Sequence, residues 1–343
     1  ASLGKLCKTL PPPSSCDDPL MKQMSLGTGF EKKSKRTRKR EFLDEMELVV
    51  PWRDLVALIE PHSPLKATGR PAFAIETMLR IHLLQQWFNL SDPAMEEALY
   101  DTPVFASFAR LDPGMTTMPD ESTILRFRRL LETHQLGLQI LALVNAILTD
   151  KNLLLRQGTV VDATLIAAPS STKNANGERD PQMHQSKKGN QWYFGMKCHI
   201  GVDASSGLVH TVVSTPGNAA DITQAHKLLH GQESIVLGDS GYQGVEKRDE
   251  FQGSKVSWHV AMRKGLRKQL DISTELGVMK EHYEKSKASI RAKVEHPFRI
   301  IKQQFGFNKV RYKGISKNDN KLQTMFALAN LWLARKKLMV VQA

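Results

Sequence analysis

A chain of 343 residues with 41% hydrophobic and 7% aromatic content has enough apolar surface for about two cores of roughly 150 residues each. That excludes a wholly disordered protein. The three cysteines, Cys7, Cys16 and Cys198, are odd in number and fit no zinc-ribbon spacing, so they point to a reducing compartment without a disulfide framework. No apolar run reaches the roughly 18 residues of a membrane span, and the first residues show no signal-peptide pattern. A cytoplasmic protein with no membrane partner is expected. The net charge of +13 points to a polyanionic partner, most commonly nucleic acid, with a merely soluble basic protein as the alternative.

Residues 1–41 read as a flexible basic tail. Pro11-Pro12-Pro13-Ser14-Ser15 suits neither helix nor strand, and Met21 and Met24 both offer starts. From Lys32 to Arg40, seven of nine residues are basic, among them Arg36, Arg38, Lys39 and Arg40. Such a block is either a solvated tail or a phosphate-binding arm. From 42 to 154 the pattern is helical. Ile75, Met78, Leu79, His82, Leu83 and Trp87 mark one buried face. Asp92-Pro93 reads as an N-cap followed by a first-turn proline. A further helix from about Ser122 has Ile124, Phe127, Leu130 and Leu131 on its apolar side and Arg126 and Arg129 opposite. It is either a DNA-groove helix or a solvated bundle helix.

After Leu154 the period changes. Strands are predicted over Thr159–Ile166, Trp192–Val202 and Leu208–Ser214, with a polar loop from Ala167 to Gln191 between the first two. A helix over Ile222–Leu229 precedes a strand at Ser234–Leu237, and a further strand spans Val256–Met262. Helices complete the chain, the last over Lys321–Leu338. The order of strands and helices over 155–320 is that of a ribonuclease H-like catalytic domain, a mixed five-stranded sheet with helices. An all-α DNA-binding region (42–154) precedes it, and a C-terminal helix (321–343) packs on it.

Three carboxylates strengthen that reading. Asp162 interrupts an apolar strand, where an unpaired buried charge would cost several kcal/mol. Asp239 directly follows the fourth strand, at the carboxyl end where α/β sites gather, although a helix N-cap is an ordinary alternative. Glu295 lies in a helical stretch in which Arg291, Glu295 and Lys302 share one face if the helix runs through Pro297. That proline either kinks the helix or starts it, and the trio could also be a surface ion-pair ladder. In the ribonuclease H-like layout the three carboxylates are adjacent. Hard oxygen ligands suit Mg²⁺ or Mn²⁺, and two such ions can serve both oxygens of a phosphoryl transfer. Asp203 reads as turn chemistry and Asp221 as a helix N-cap.

Several strings carry a resemblance: Glu76 to His82, Val161 to Thr164, Lys187 to Trp192, Gly201 to Ala204, Gly241 to Gly244 and Arg291 to Phe307. From about Phe42 to Ala334 the chain resembles the DDE transposases of bacterial insertion sequences, most closely the insertion sequence 5 family. The resemblance implies Asp162, Asp239 and Glu295 as the metal-holding catalytic triad. It also implies a bacterial, nucleoid-associated enzyme that cuts the terminal inverted repeats of its element and joins them to target DNA, as a homodimer or higher oligomer. The wider group's signature of Tyr, two residues, Arg, three residues, Glu, six residues, Lys is met by Arg291, Glu295 and Lys302, whereas Ala288 stands at the tyrosine position. Between Asp239 and Glu295 lie 55 residues, too few for a large strand-rich insertion.

Charge agrees with this reading. From Lys255 to Lys317 sixteen Lys or Arg stand against five Asp or Glu. Arg291, Lys293, Arg299 and Lys302 are the expected DNA contacts there, with Arg291 and Lys302 holding phosphates and both favouring an ionised Glu295. A non-catalytic DNA-binding regulator and a ribonuclease H-like nuclease without strand transfer are the alternatives.

Overall fold

The computed structural model describes residues 36–63, 71–112, 114–173, 175 and 177–342; the expected tail up to Lys35 lies outside them. Arg38, Lys39 and Arg40, read as tail, instead open a helix, α1 (Arg38–Val49). Six more follow: α2 (Trp52–Ile59), α3 (Ile75–Phe88), α4 (Asp92–Asp101), α5 (Pro103–Phe108), α6 (Glu121–Thr133) and α7 (Leu136–Asp150). The N-cap of α4 is Ser91, whose hydroxyl accepts from the Ala94 N–H at 3.3 Å. Asp92, expected as that cap, pairs instead with Arg128 at 2.8 Å. Asp120 caps α6 through the Thr123 N–H. Helix α3 is buried from Met78 to Trp87 on every side, not on one face. Its polar residues are therefore partnered internally: Arg80 bonds Glu47, Glu76 and the Phe108 carbonyl, and Gln86 accepts from Lys321.

The sheet comprises β1 (Gly158–Ala167), β2 (His184–Lys188), β3 (Gln191–Asp203), β4 (Val209–Pro216), β5 (Ile235–Gly238) and β6 (Ser257–Val260). β3 runs antiparallel to β1 and β4, while β5 runs parallel to β1 and β6. The order β4-β3-β1-β5-β6 is the ribonuclease H-like sheet. β2 is a sixth strand where a loop was expected. It pairs with the first half of β3, which extends beyond the reach of β4. Trp192 on that hairpin is 64% exposed, close to Lys187. The expected helix at Ile222–Leu229 is a 3-10 segment, Asp221–Leu228.

Beyond β6 come α8 (Lys264–Lys268), α9 (Glu275–Arg291), α10 (Glu295–Arg299) and α11 (Ile315–Gln342). A 3-10 turn (Ala292–Val294) joins α9 to α10, and a π turn (Ile300–Gln304) follows. Pro297 thus neither breaks nor starts the helical path. The tighter turn ahead of it absorbs its missing N–H.

Helix α11 packs against α7, α3 and α6 as well as β4. Asn330 donates to Asn145 of α7 at 2.8 Å and accepts from the Val209 N–H of β4 at 2.8 Å. At the α7–α11 crossing, a Cβ on Gly137 would come within 2.3 Å of the Asn320 carbonyl oxygen, so only glycine allows that approach. One hydrophobic core takes in residues of α1 to α7, the sheet and α11. The expected boundaries at 154 and 320 therefore do not separate independent cores: the described residues from Phe42 onward form one unit. Among the described residues, no helix is long and apolar enough to cross a membrane.

Candidate active site

Asp162 sits mid-way along β1, the central strand. The parallel register sets Val160 opposite Leu237. Two positions further, Asp162 comes level with Asp239, whose backbone is still extended just past β5. Neighbouring strands lie about 4.8 Å apart, so the two carboxylates are brought side by side. Each spends one oxygen on a local N–H: Asp162 Oδ1 accepts from Ala163 at 2.7 Å and Asp239 Oδ1 from Gly241 at 2.8 Å. The Asp162 carboxyl is pushed up to about 6, chiefly by burial; Asp239 and Asp221 contribute to the rise, while the Ala163 N–H and Arg291 oppose it. Tyr242 lies fully buried beside this cluster, and burial with the same negative charges lifts its hydroxyl far above its usual range.

Glu295 opens α10, on a segment fastened to β1 on both sides. The turn before it packs on β1, with Val294 buried. After it, Lys302 Nζ donates to Thr164 Oγ1 at 2.6 Å and to the Leu165 carbonyl at 2.9 Å. Among the described residues Glu295 has no hydrogen-bond or ion-pair partner. It is exposed and lines a cleft of about 430 Å³ with Arg299 and Lys302.

Several expected DNA contacts have other work. Lys302 grips β1 because the π turn rotates it toward the strand. Lys293 Nζ donates to the Ala204 and Ser205 carbonyls at 2.7 and 3.0 Å, closing the β3–β4 turn. The charge of Arg291 falls on Asp162 and Tyr242. Arg299 is exposed and bonds Gln303. Arg126 and Arg129 are exposed on α6, the former bonding Ser122 and Thr123, and belong to the helical region, not to the carboxylate cluster. Arg36, Arg38 and Lys39 are exposed at the start of the described chain. Asp203 is turn chemistry, accepting from Ser206 and the Arg156 N–H. Asp221 is not a cap; it pairs with Lys197 at 2.9 Å. Residue-by-residue reading missed a basic cleft of about 730 Å³ between α8 and α9, lined by Lys264, Lys268 and Lys285. The regional charge excess was its only signal.

The transposase DDE domain family model matches residues 154–331, just over half of the chain. This chain belongs to the DDE transposase family. A second transposase-domain model matches residues 31–130, so the helical region of the transposase is matched as well as its sheet. Enzymes of the family work with divalent metal ions. Among solved structures, the transposase is similar to the Mos1 transposase paired-end complex with left transposon end, at 11% identity over 71% of this chain and 83% of that one, TM-score 0.20. It is also similar to the Mos1 strand transfer complex, at 13% identity over 68% and 80%, TM-score 0.18.

Proposed function

We propose that this transposase binds double-stranded DNA at the terminal inverted repeats of its insertion sequence, cleaves there and joins the ends to target DNA, with Asp162, Asp239 and Glu295 as the catalytic, metal-holding set. The observation that carries this reading is the alignment of Asp162 with Asp239 across β1 and β5. Two carboxylates set side by side, one of them largely buried, repel each other unless a cation joins them. An all-carboxylate donor set fits two Mg²⁺ or Mn²⁺ ions, which would stabilise charge on the attacking and leaving oxygens. Glu295, exposed in the cleft with Arg299 and Lys302, would be the third donor. The α8–α9 cleft, Arg129, Arg299 and the Trp192 hairpin offer basic and stacking surface to DNA, and the enzyme acts as a dimer or larger assembly on its ends.

The deciding assay incubates the protein with end DNA, plasmid and Mg²⁺. Cleaved ends joined to plasmid are the expected product. Cleavage without joining would leave a nuclease, and binding alone a regulator. End affinity should also fall steeply with ionic strength as phosphate counterions are released; a flat salt response would remove the basic surfaces from the interface.

Lys302 is a positioning residue in this reading, since it reaches β1 through Thr164 and Leu165. Lys302→Met should cut cleavage while leaving the slope of log affinity against log salt unchanged. A slope shallower by about one unit would mean that Lys302 neutralises a phosphate instead.

A further inference from the structure

On the face of β1 opposite Asp162, a second set of donors converges. Strand residues alternate sides, so Thr159 and Asp162 point oppositely. Thr159 Oγ1 shares a hydrogen bond with His210 Nε2 at 3.0 Å and donates to Glu233 Oε1 at 3.2 Å. His230 Nε2 stands 3.3 Å from the same Glu233 oxygen. One ligand atom each from His210, His230 and Glu233 lies within 4.8 Å of the other two.

The cluster is built into the fold. The Glu233 side chain is fully buried and that of His230 only 8% exposed. Glu233 takes the His230 and Gly231 N–H groups at 2.5 and 2.8 Å, which fixes the carboxylate. Gly201 makes room for the imidazole: a Cβ there would come within 2.6 Å of His210 Cε1. His230 Nδ1 accepts from the Gln232 N–H at 3.2 Å, so in the metal-free chain the ring proton sits on Nε2, aimed into the cluster at Glu233. A cation taken up at Nε2 would displace that proton to Nδ1 and break the Gln232 contact. The charge of Arg156 also reaches both rings.

We propose that His210, His230 and Glu233 form a structural transition-metal site, with zinc as the best-fitting ion, separate from the DDE carboxylates. Two imidazoles and one carboxylate are a zinc donor set, unlike the all-oxygen cluster across the sheet. A tetrahedral ion with bonds of about 2.1 Å wants donors roughly 3.4 Å apart, so the widest gap closes by little more than an ångström on loading. Thr159 or water takes the fourth position. An ion here would tie the β4 edge and the loop before β5 to β1, whether or not the chain cuts DNA.

The test uses the full chain with Asp162, Asp239 and Glu295 all changed to Ala, so that the other metal set is gone. Dialysed against Zn²⁺ or Co²⁺, it should retain one ion per chain, and the Co²⁺ form should show tetrahedral visible bands. His210→Gln and His230→Gln should each weaken uptake at least about tenfold. Because those variants could lose the ion by misfolding, His230→Cys supplies a gain of signal: an added thiolate-to-Co²⁺ absorption in the near ultraviolet, beyond that of the parent. A triple-alanine chain that binds no zinc, or a His230→Cys chain that binds Co²⁺ without the new band, overturns the proposal.

Discussion

Asp162→Asn should lose at least about 10³-fold in strand cleavage and, without metal, should melt higher than the unaltered protein. The carboxyl's pKa rises from 3.8 to about 6 in the fold, mainly through burial. A raised acid pKa means that the folded state disfavours the ionised form. Above about pH 6 the metal-free fold therefore carries a penalty of at most ~3 kcal/mol. As the pH falls from about 6 toward about 4, Asp162 takes up its proton and the penalty disappears. Asparagine removes it at every pH. At about 2 °C per kcal/mol for a protein of this size, Asp162→Asn should melt roughly 5 °C higher at pH 7.5 in EDTA, and the gap should shrink at pH 5. Mg²⁺ should raise the melting temperature of the unaltered chain and not that of the variant. Equal melting curves in EDTA would mean that Asp162 is not strained in the fold, and full cleavage by the variant would remove it from the site.

Phe326→Ala should destabilise the helical region and the sheet together by about 3–5 kcal/mol. The Phe326 ring is fully buried on α11 and meets Phe298, which follows Glu295 on α10, at a centroid distance of 6.2 Å. Because the core is continuous from α1 to α11, a cavity at Phe326 has no domain boundary to stop at. Native-state hydrogen exchange checks this: amides of α3 and β1 should lose the same free energy of protection. Loss confined to one of them would show two independently stable parts.

Much of the site was legible because charge stands out in apolar strands. Asp162 breaks Val160-Val161 and Asp239 follows Val236-Leu237-Gly238, so both were visible in the sequence. Their alignment was not, because it depends on the β1–β5 register between residues more than seventy apart. β1, β3, β4 and β5 announced themselves by β-branched or alternating residues. β2 did not, since His184–Lys188 is polar and becomes a strand only by pairing with β3. Lys293 and Lys302 looked like phosphate ligands because sequence shows a cation's charge and not its nearest carbonyl. Asp221 looked like a cap because Lys197, its actual partner, is 24 residues away. The His210–His230–Glu233 cluster left only the short His230-to-Glu233 spacing as a local trace.

The way α11 is spliced between α7 and β4 has a mechanical consequence. With Asn330 bonded to both neighbours and Gly137 pressed against Asn320, no linker lies between the helices and the carboxylates. A DNA end seated on the helices would be held as in a caliper. The distance from recognised sequence to cut would then be set by the thickness of packed protein, not by the reach of a tether.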